Sequence, residues 1–449
     1  MGFAAKNRRH KTLIVGLGKT GLSCARFLAA HGEEIAITDS RVRPPGLADL
    51  RTLLPDAAVF LGGFSEDALK HADRVIVSPG IAASTPFIAK ARSLGLPVMG
   101  DIELFSHHAK APVVGITGSN GKSTVTTLVG LMAERAGREA RTGGNLGTPA
   151  LDLLKATEPA LYVLELSSFQ LEITESLRCA AATVLNLSPD HMDRYASLED
   201  YAAAKARIFR NCGTAVVNRD DPRVRRLGTG AKMRVSFGLD APAAGQYGLN
   251  EVSGEPWLAR GSERLLALGG LRIRGRHNAA NALAALALGE AVGLELEPML
   301  EALKGFRGLP HRMEYVAAVR DVLYYDDSKG TNVGATLAAV SGLSQPLVLI
   351  AGGDGKGQDF APLAAALAGK ARAVVLLGKD AALIEQALSG DVKTRRVTDM
   401  DAAVAAASEL AQAGDLVLLS PACSSLDMFE NFEQRGRVFA AAVRRLAGE

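Results

Sequence analysis

The sequence predicts an α/β protein built from three consecutive modules, and three observations carry that expectation. Apolar strand-like runs alternate with helix-like stretches from one end to the other. Those runs stop repeatedly in glycine- or hydroxyl-rich turns, at residues 16–21, 115–124 and 352–357. The length of 449 residues accommodates about two to four domains.

Composition removes several function classes. Apolar residues make up 48% and charged residues 22%, which is ordinary for a globular chain. A net charge of +3 and an aromatic content of 5% argue against nucleic acid as a partner. Cys24, Cys179, Cys212 and Cys423 form no Cys-x-x-Cys pair, so neither structural zinc nor a disulfide framework is expected, and a reducing cytoplasm fits. The basic start at Lys6, Arg8, Arg9 and Lys11 precedes an apolar run that breaks at Gly16, which is no signal peptide. No run approaches the ~20 apolar residues of a membrane span.

In the first module, Thr12-Leu13-Ile14-Val15 leads into Gly16-Leu17-Gly18-Lys19-Thr20-Gly21 and a helix expected to begin near Leu22. A second strand, residues 35–39, ends in Asp39, 18 residues beyond Gly21, close to where a ribose-binding carboxylate sits in dinucleotide enzymes. NAD and a nucleotide-sugar both fit this pattern, because the turn recognises a diphosphate rather than a base. Val75-Ile76-Val77-Ser78-Pro79-Gly80 is another strand stopping in a turn at the same crevice. His107 and His108 are adjacent, so they point to different faces of a helix and read as surface residues.

The central module opens on the strongest signal. Val113-Val114-Gly115-Ile116-Thr117 runs into Gly118-Ser119-Asn120-Gly121-Lys122-Ser123-Thr124, a phosphate cradle in which glycines admit the anion, Lys122 adds charge and a hydroxyl can meet Mg²⁺. It departs from the strict P-loop, which would need glycine at position 116, where Ile stands. A second glycine loop, residues 143–147, carries Asn145 and reads equally as a simple turn. Glu165 ends the apolar run 161–164, where a carboxylate must be paired or bind a cation, or else cap a helix. A strand over 181–187 precedes Ser188-Pro189-Asp190-His191, and a parallel sheet would bring His191 to the edge that carries Glu165. Lys205, in a helix-like run, reads on composition as a solvated charge. Residues 271–273 read as a strand. Asn278 and Asn281, one turn apart at the start of an alanine-rich helix, face a nucleotide or cap that helix.

A turn at Gly308-Leu309-Pro310-His311-Arg312 opens the last module. Three strands follow, each ending in a polar turn: residues 322–325 before Asp326-Asp327-Ser328-Lys329-Gly330-Thr331-Asn332, residues 347–350 before Gly352-Gly353-Asp354-Gly355-Lys356-Gly357, and residues 416–419 before Ser420-Pro421-Ala422-Cys423-Ser424-Ser425-Leu426. A second open sheet with a ligand crevice is the expectation. Cys423 reads as a buried structural thiol.

Taken in order, Gly115-x-x-Gly118-x-x-Gly121-Lys122-Ser123-Thr124, Leu164-Glu165-Leu166-Ser167-Ser168, His191, His277-Asn278-x-x-Asn281, His311-Arg312 and Asp327-Ser328-Lys329 resemble the motifs of the bacterial Mur ligases. The resemblance implies a Rossmann-like UDP-binding domain at 1–100, a central P-loop-type ATPase domain with a mainly parallel sheet at 101–308, and a C-terminal Rossmann-like open α/β domain at 309–449. Residues 16–24, 100–105, 166–172 and 420–436, with no Asp-Asn-Pro-Arg motif in the last module, point within the family to addition of D-glutamate to UDP-N-acetylmuramoyl-L-alanine.

The resemblance also implies roles for single residues. Gly18, Lys19, Thr20, Gly21, Asp39, Ser40, Arg41, Ser78, Pro79 and Gly80 would hold the UDP-sugar, which displaces the NAD reading, and Asn145 and His191 would contact the muramyl part. Gly118, Asn120, Gly121, Lys122, Ser123 and Thr124 would cradle ATP, completed by Asn278, Asn281, Arg312, Asp327 and Lys329. Mg²⁺ would be held by Ser123, Thr124, Glu165, His191 and a Lys205 carbamylated by CO₂, which leaves Lys122, Glu165, His191 and Lys205 as the catalytic set. Thr331, Lys356, Ser425, Leu426 and Phe432 would hold glutamate. The implied reaction is amide formation through an acyl phosphate, in a cytoplasmic monomer with no nucleic-acid partner and no membrane span.

Overall fold

A computed structural model of the chain describes residues 10–145, 147–273, 275–341, 343, 345–388, 390 and 392–448. Lys6, Arg8 and Arg9 of the basic start and Leu146 of the second glycine loop lie outside the described residues.

The first sheet contains β1 (Lys11–Val15), β2 (Glu34–Asp39), β3 (Ala58–Leu61), β4 (Arg74–Val77) and β5 (Val98–Met99). All pairs are parallel and the order is β3-β2-β1-β4-β5. The order reverses between β1 and β4, which opens a crevice at their carboxyl ends. Gly16 turns there with φ 92°. The following helix spans Lys19–Ala30 and so starts earlier than Leu22. Gly21 lies in its first turn, where a Cβ would stand 2.0 Å from the Gly16 carbonyl oxygen, so only a missing side chain lets the helix approach the strand.

Nine strands form the central sheet: β6 (Val113–Thr117), β7 (Ala140–Gly144), β8 (Leu161–Glu165), β9 (Ala181–Val184), β10 (Thr214–Asn218), β11 (Met233–Phe237), β12 (Tyr247–Val252), β13 (Glu255–Arg260) and β14 (Glu263–Ala267). Their order is β14-β13-β12-β11-β10-β9-β6-β8-β7, parallel from β7 to β12 and antiparallel beyond. The wholly buried β6 lies between β8 and β9, with Ile116 paired to Glu165 and Thr117 to Val184. This register sets Gly118, Glu165 and the segment after Val184 side by side.

Two expectations for this module are corrected. Residues 271–273 are not a strand: Leu271 and Ile273 are buried, but they follow the 3-10 turn Leu268–Gly270 and pair with no strand among the described residues, their alternation reflecting a floor packed into the core. The strand expected over 181–187 ends its ladder at Val184, after which Asn186 turns toward the phosphate loop.

The last sheet holds β15 (Glu314–Val319), β16 (Val322–Asp326), β17 (Leu347–Ala351), β18 (Ala371–Leu376), β19 (Thr394–Arg396) and β20 (Leu416–Leu419). In the order β15-β16-β20-β17-β18-β19, only β15 runs antiparallel. The three strands whose polar turns marked this module, β16, β20 and β17, are therefore immediate neighbours.

The modules are joined in two different ways. One continuous apolar cluster runs from Leu28, Ile102 and Phe105 into Leu151, Tyr162 and Leu164, fusing the first module to the central one. The two clusters of the last module contain only its own residues, one on each side of its sheet. Its described hydrogen bonds to the central module come from polar side chains, among them Asn332 with Asn120 and Lys356 with Asp190.

Gly21→Ala is expected to destabilise the fused pair by roughly 1–3 kcal/mol through overpacking against Gly16. A denaturant titration of the variant checks this, and an unchanged midpoint would mean that the helix can shift without cost.

Candidate active site

The phosphate loop ends on Gly121, at φ 84°, and the helix Lys122–Arg135 follows at once. A Cβ at Gly121 would meet Asn281 Oδ1 at 2.4 Å, so the helix Arg276–Ala291 closes over the loop only because glycine stands there. Lys122 Nζ donates to Gly118 O at 2.9 Å and to Ser119 O at 2.8 Å, and burial lowers its pKa.

Two cavities meet at this loop. The first, about 330 Å³, is lined by Gly121, Thr124, Asn278, Asn281, Arg312 and Asp327, among others. The second, about 400 Å³, contains Lys122, Ser123, Asn145, Glu165, His191 and Lys329. Asn120 and Arg312 line both, so an elongated ligand can pass from one to the other. The two neighbouring hydroxyls are thereby separated, Ser123 lining the second cavity and Thr124 the first. Thr331, Lys356, Ser425, Leu426 and Phe432 all line the second cavity as well.

Electrostatics in the second cavity favour an anion and a cation together. Glu165 is buried; Oε1 accepts from Asn145 Nδ2 at 2.7 Å, while Oε2 finds no hydrogen-bond partner among the described residues. Burial pushes its pKa up, but Lys122 above all, with Asn145 and Ser123, holds it below the usual carboxylate value. Burial drives His191 down to about 4 against the pull of Asp190, leaving a neutral imidazole at neutral pH, held at φ 57° and packed edge-on to Phe169. Arg312 is half-buried, with its Nε shielded from solvent and unpartnered among the described residues. Lys329, lowered by burial to about 8, stands 4.7 Å over the ring of Phe432.

Lys205 is not the solvated charge that composition suggested. It is 1% exposed, lies behind the loop, and donates to Gly118 O at 3.0 Å. Two lysines thus share one carbonyl oxygen. Burial, followed by repulsion from Lys122, lowers the Lys205 pKa well below the ordinary lysine value.

The first crevice stands apart from this cluster. Lys19, Thr20, Ser40, Arg41, Pro79 and Gly80 are partly or fully exposed around the turn over Gly18 and Gly21, and Ser78 braces that turn by donating to Gly16 O at 2.8 Å. Asp39 does not reach the crevice surface. Both its oxygens are engaged, by Arg41 and by Leu17 N, which hold it at about 2 despite burial, so Asp39 presents Arg41 instead of offering a carboxylate to a ribose. Lys19 Nζ donates to Gly147 O, and Gly147 borders the second cavity. A long ligand can therefore reach from the first crevice to Glu165 along this loop.

Sequence reasoning missed several residues of the site. Asn186 orients the loop by accepting from Asn120 N at 2.8 Å. Asp190 takes both Lys356 and Asn332. Arg194 donates to Pro79 O at 2.9 Å and lies 3.8 Å over Phe169, tying the first crevice to the ring beneath His191. Their only sequence signal was proximity to a strand end. His107 and His108 are exposed, and Cys423 is buried and free, as read.

Burial raises Asp327 to about 7, with Ser420 Oγ donating to it at 2.8 Å. The folded chain therefore binds more protons than the unfolded one between 3.8 and about 7, and stability contributed by this group falls as pH rises through that window. The thermal midpoint of Asp327→Asn relative to the parent protein, measured without nucleotide, is expected to move in the variant's favour from pH 4 to pH 8. A pH-independent difference would contradict the assignment.

Comparison with known proteins places this arrangement. Residues 10–100 match the Mur ligase MurD-like N-terminal domain, residues 116–289 the Mur ligase middle domain, and residues 311–423 the Mur ligase glutamate ligase domain. The chain is 57% identical to the UDP-N-acetylmuramoylalanine--D-glutamate ligase of Nitrosococcus oceani, covering 97% of this chain and 96% of that one. It is 54% identical to the enzyme of the same name from Pseudomonas aeruginosa, over 98% of each chain. Among solved structures, the UDP-N-acetylmuramate-alanine ligase MurC of Thermotoga maritima shares the fold, with a TM-score of 0.63 at 22% identity over 98% of this chain and 100% of that one. With all three modules matched in order and relatives of such identity over nearly its whole length, the chain belongs to the Mur ligase family.

Proposed function

We propose that this chain joins D-glutamate to the alanyl carboxylate of UDP-N-acetylmuramoyl-L-alanine, forming an amide at the expense of ATP and releasing ADP and phosphate. One observation carries the reading: Asn120 and Arg312 form a common wall between a nucleotide-sized cavity and a chamber where Lys122, Glu165, Lys329 and Lys356 converge. That is what phosphoryl transfer from a triphosphate to a carboxylate requires.

Asn278, Asn281 and Asp327 lie where the nucleoside would rest, and the triphosphate would extend past Asn120 toward Lys122. The UDP-sugar would sit on the turn over Gly18, Lys19, Thr20 and Gly21, against Arg41 and residues 78–80, and reach inward past Asn145. Its carboxylate is unreactive toward amines until it takes the terminal phosphoryl group. Lys122, Arg312 and Lys329 would neutralise the charge that develops on the transferring oxygens. The acyl phosphate so formed meets the amine of glutamate, whose carboxylates Thr331, Lys356, Ser425 and the backbone around Leu426 and Phe432 would orient. Carbon–nitrogen bond formation then expels phosphate and leaves the amide.

The donor set suits Mg²⁺: the unpartnered oxygen of Glu165, the neutral imidazole of His191, the hydroxyl of Ser123 and a carbamylated Lys205 would hold it, with Thr124 one residue further along the helix. Bound there, the ion would shield the negative charge of the phosphoryl oxygens. Carbamylation needs a neutral amine, and burial with the repulsion of Lys122 shifts Lys205 in that direction; its nitrogen would bond to the carbon of CO₂ with loss of one proton, turning a cation into a carboxylate-like ligand. None of the described helices is long and apolar enough to cross a membrane. A monomer acting in the cytoplasm completes the reading.

Phosphate release measured with D-glutamate, with L-glutamate and with neither tests the proposal directly. Release should require the acceptor and the D enantiomer; indifference to glutamate would reduce the protein to a nucleotide hydrolase. Lys122→Ala is expected to lower kcat by at least roughly 10²–10³-fold. Isotopically labelled bicarbonate should give a carbamate carbon signal in the parent protein that is missing from Lys205→Ala.

A further inference from the structure

The cleft between the central and last modules contains a pair of carboxamides, Asn120 of the phosphate loop and Asn332, and to the second of them the reaction scheme gives no task. Asn332 precedes the helix Val333–Ser341 and is 2% exposed. A carboxamide has two acceptor positions and two donor hydrogens, and here all four are used. Oδ1 accepts from Ala335 N at 2.9 Å, which caps the helix, and from Asn120 Nδ2 at 3.2 Å. Nδ2 donates to Asn120 Oδ1 at 3.1 Å and to Asp190 Oδ2 at 3.2 Å. The two amides therefore bond reciprocally, across 212 residues of chain.

Both ends of this pair sit at consequential places. Asn120 belongs to the phosphate loop, two residues before Lys122, and its backbone position is pinned by Asn186. Asn332 immediately follows Thr331, and its second partner, Asp190, also holds Lys356 through Oδ1. Contact is close around the pair: a Cβ on Gly334 would come within 2.8 Å of Ser188 Oγ. Because the two apolar clusters of the last module include no described residue of the central one, polar contacts of this kind carry much of its docking.

We propose that Asn332 is a positioning residue that couples occupation of the phosphate loop by a nucleoside triphosphate to capture of the amino-acid substrate. The triphosphate fixes Asn120, the reciprocal amide pair passes that order to the last module, and Thr331 and Lys356 come into register for the carboxylates of the incoming amino acid. A neutral pair suits the task, since it specifies one mutual orientation without burying an extra charge. Docking before phosphoryl transfer also keeps water from the acyl phosphate. This inference rests on the function proposed above.

The test uses the full-length protein and two variants, Asn332→Ala and Asn332→Ser, the latter keeping an oxygen to cap the helix. D-glutamate affinity is measured by calorimetry with and without a non-hydrolysable ATP analogue, beside steady-state KM and kcat. In the parent protein the analogue should tighten glutamate binding by roughly 5- to 150-fold. In both variants that tightening should vanish, KM for glutamate should rise by the same factor, and phosphate release without amide formation should appear. Asn120→Ala combined with Asn332→Ala should cost the coupling no more than either change alone. Tightening that survives in both variants, or losses that add in the double variant, would overturn the coupling while leaving the ligase reading intact. Phosphate release by the parent protein that ignores glutamate would instead remove the ligase reading itself.

Discussion

Two lysine side chains, the half-buried Lys122 and the buried Lys205, donate to the same carbonyl oxygen, that of Gly118. Two ammonium ions cannot share one acceptor at hydrogen-bond distance without strong repulsion, and in a dry interior that repulsion is weakly screened. Carrying two full charges there is therefore disfavoured. The rest of the site follows from this conflict: burial holds both lysines below the ordinary lysine pKa, Lys205 well below it with Lys122 adding repulsion, while Glu165 is the foremost charge opposing the shift at Lys122. The chain achieves this with ordinary backbone, by ending β6 in a glycine turn between the ends of β8 and β9.

Much of this was legible in the residues. Strand ends with Gly16, Gly118, Asp327 and Gly352 were found because small or polar residues after a buried strand are costly unless a turn or ligand uses them. The adjacency of β16, β20 and β17 turned three separate turns into one rim, as an open sheet requires. The meander β12–β14 gave little signal, since its edge strands mix charged, proline and glycine residues and lack a sustained apolar face. Leu271 and Ile273 gave a misleading one, because burial of alternate residues does not demand a pairing partner.

The site was harder to read than the fold, for a definite reason. Residues that touch a ligand sit beside recognisable turns, while residues that hold those residues are recognisable only by what lies opposite them in space. Asn186 acquires meaning from Asn120, 66 positions away, Arg194 from Pro79, 115 away, and Asp190 from Lys356, 166 away, and spacing along the chain carries no trace of that. Lys205 is the extreme case: an alanine-rich helix suggests solvent, and only the burial of Tyr201 and Ala204 around it shows otherwise. Asp39 illustrates the converse, a residue at the expected spacing whose carboxylate is already taken by Arg41.

The separate cores of the last module have an evolutionary reading. A head that folds around its own sheet, and whose described hydrogen bonds to the central module come from side chains, can drift in the rim of its polar turns, or be exchanged for another, without disturbing the interior of the phosphate-loop module. The first two modules, welded by a shared interior, have no such freedom and must change together. Diversification of the added amino acid is thus built into the way the chain divides its hydrophobic residues.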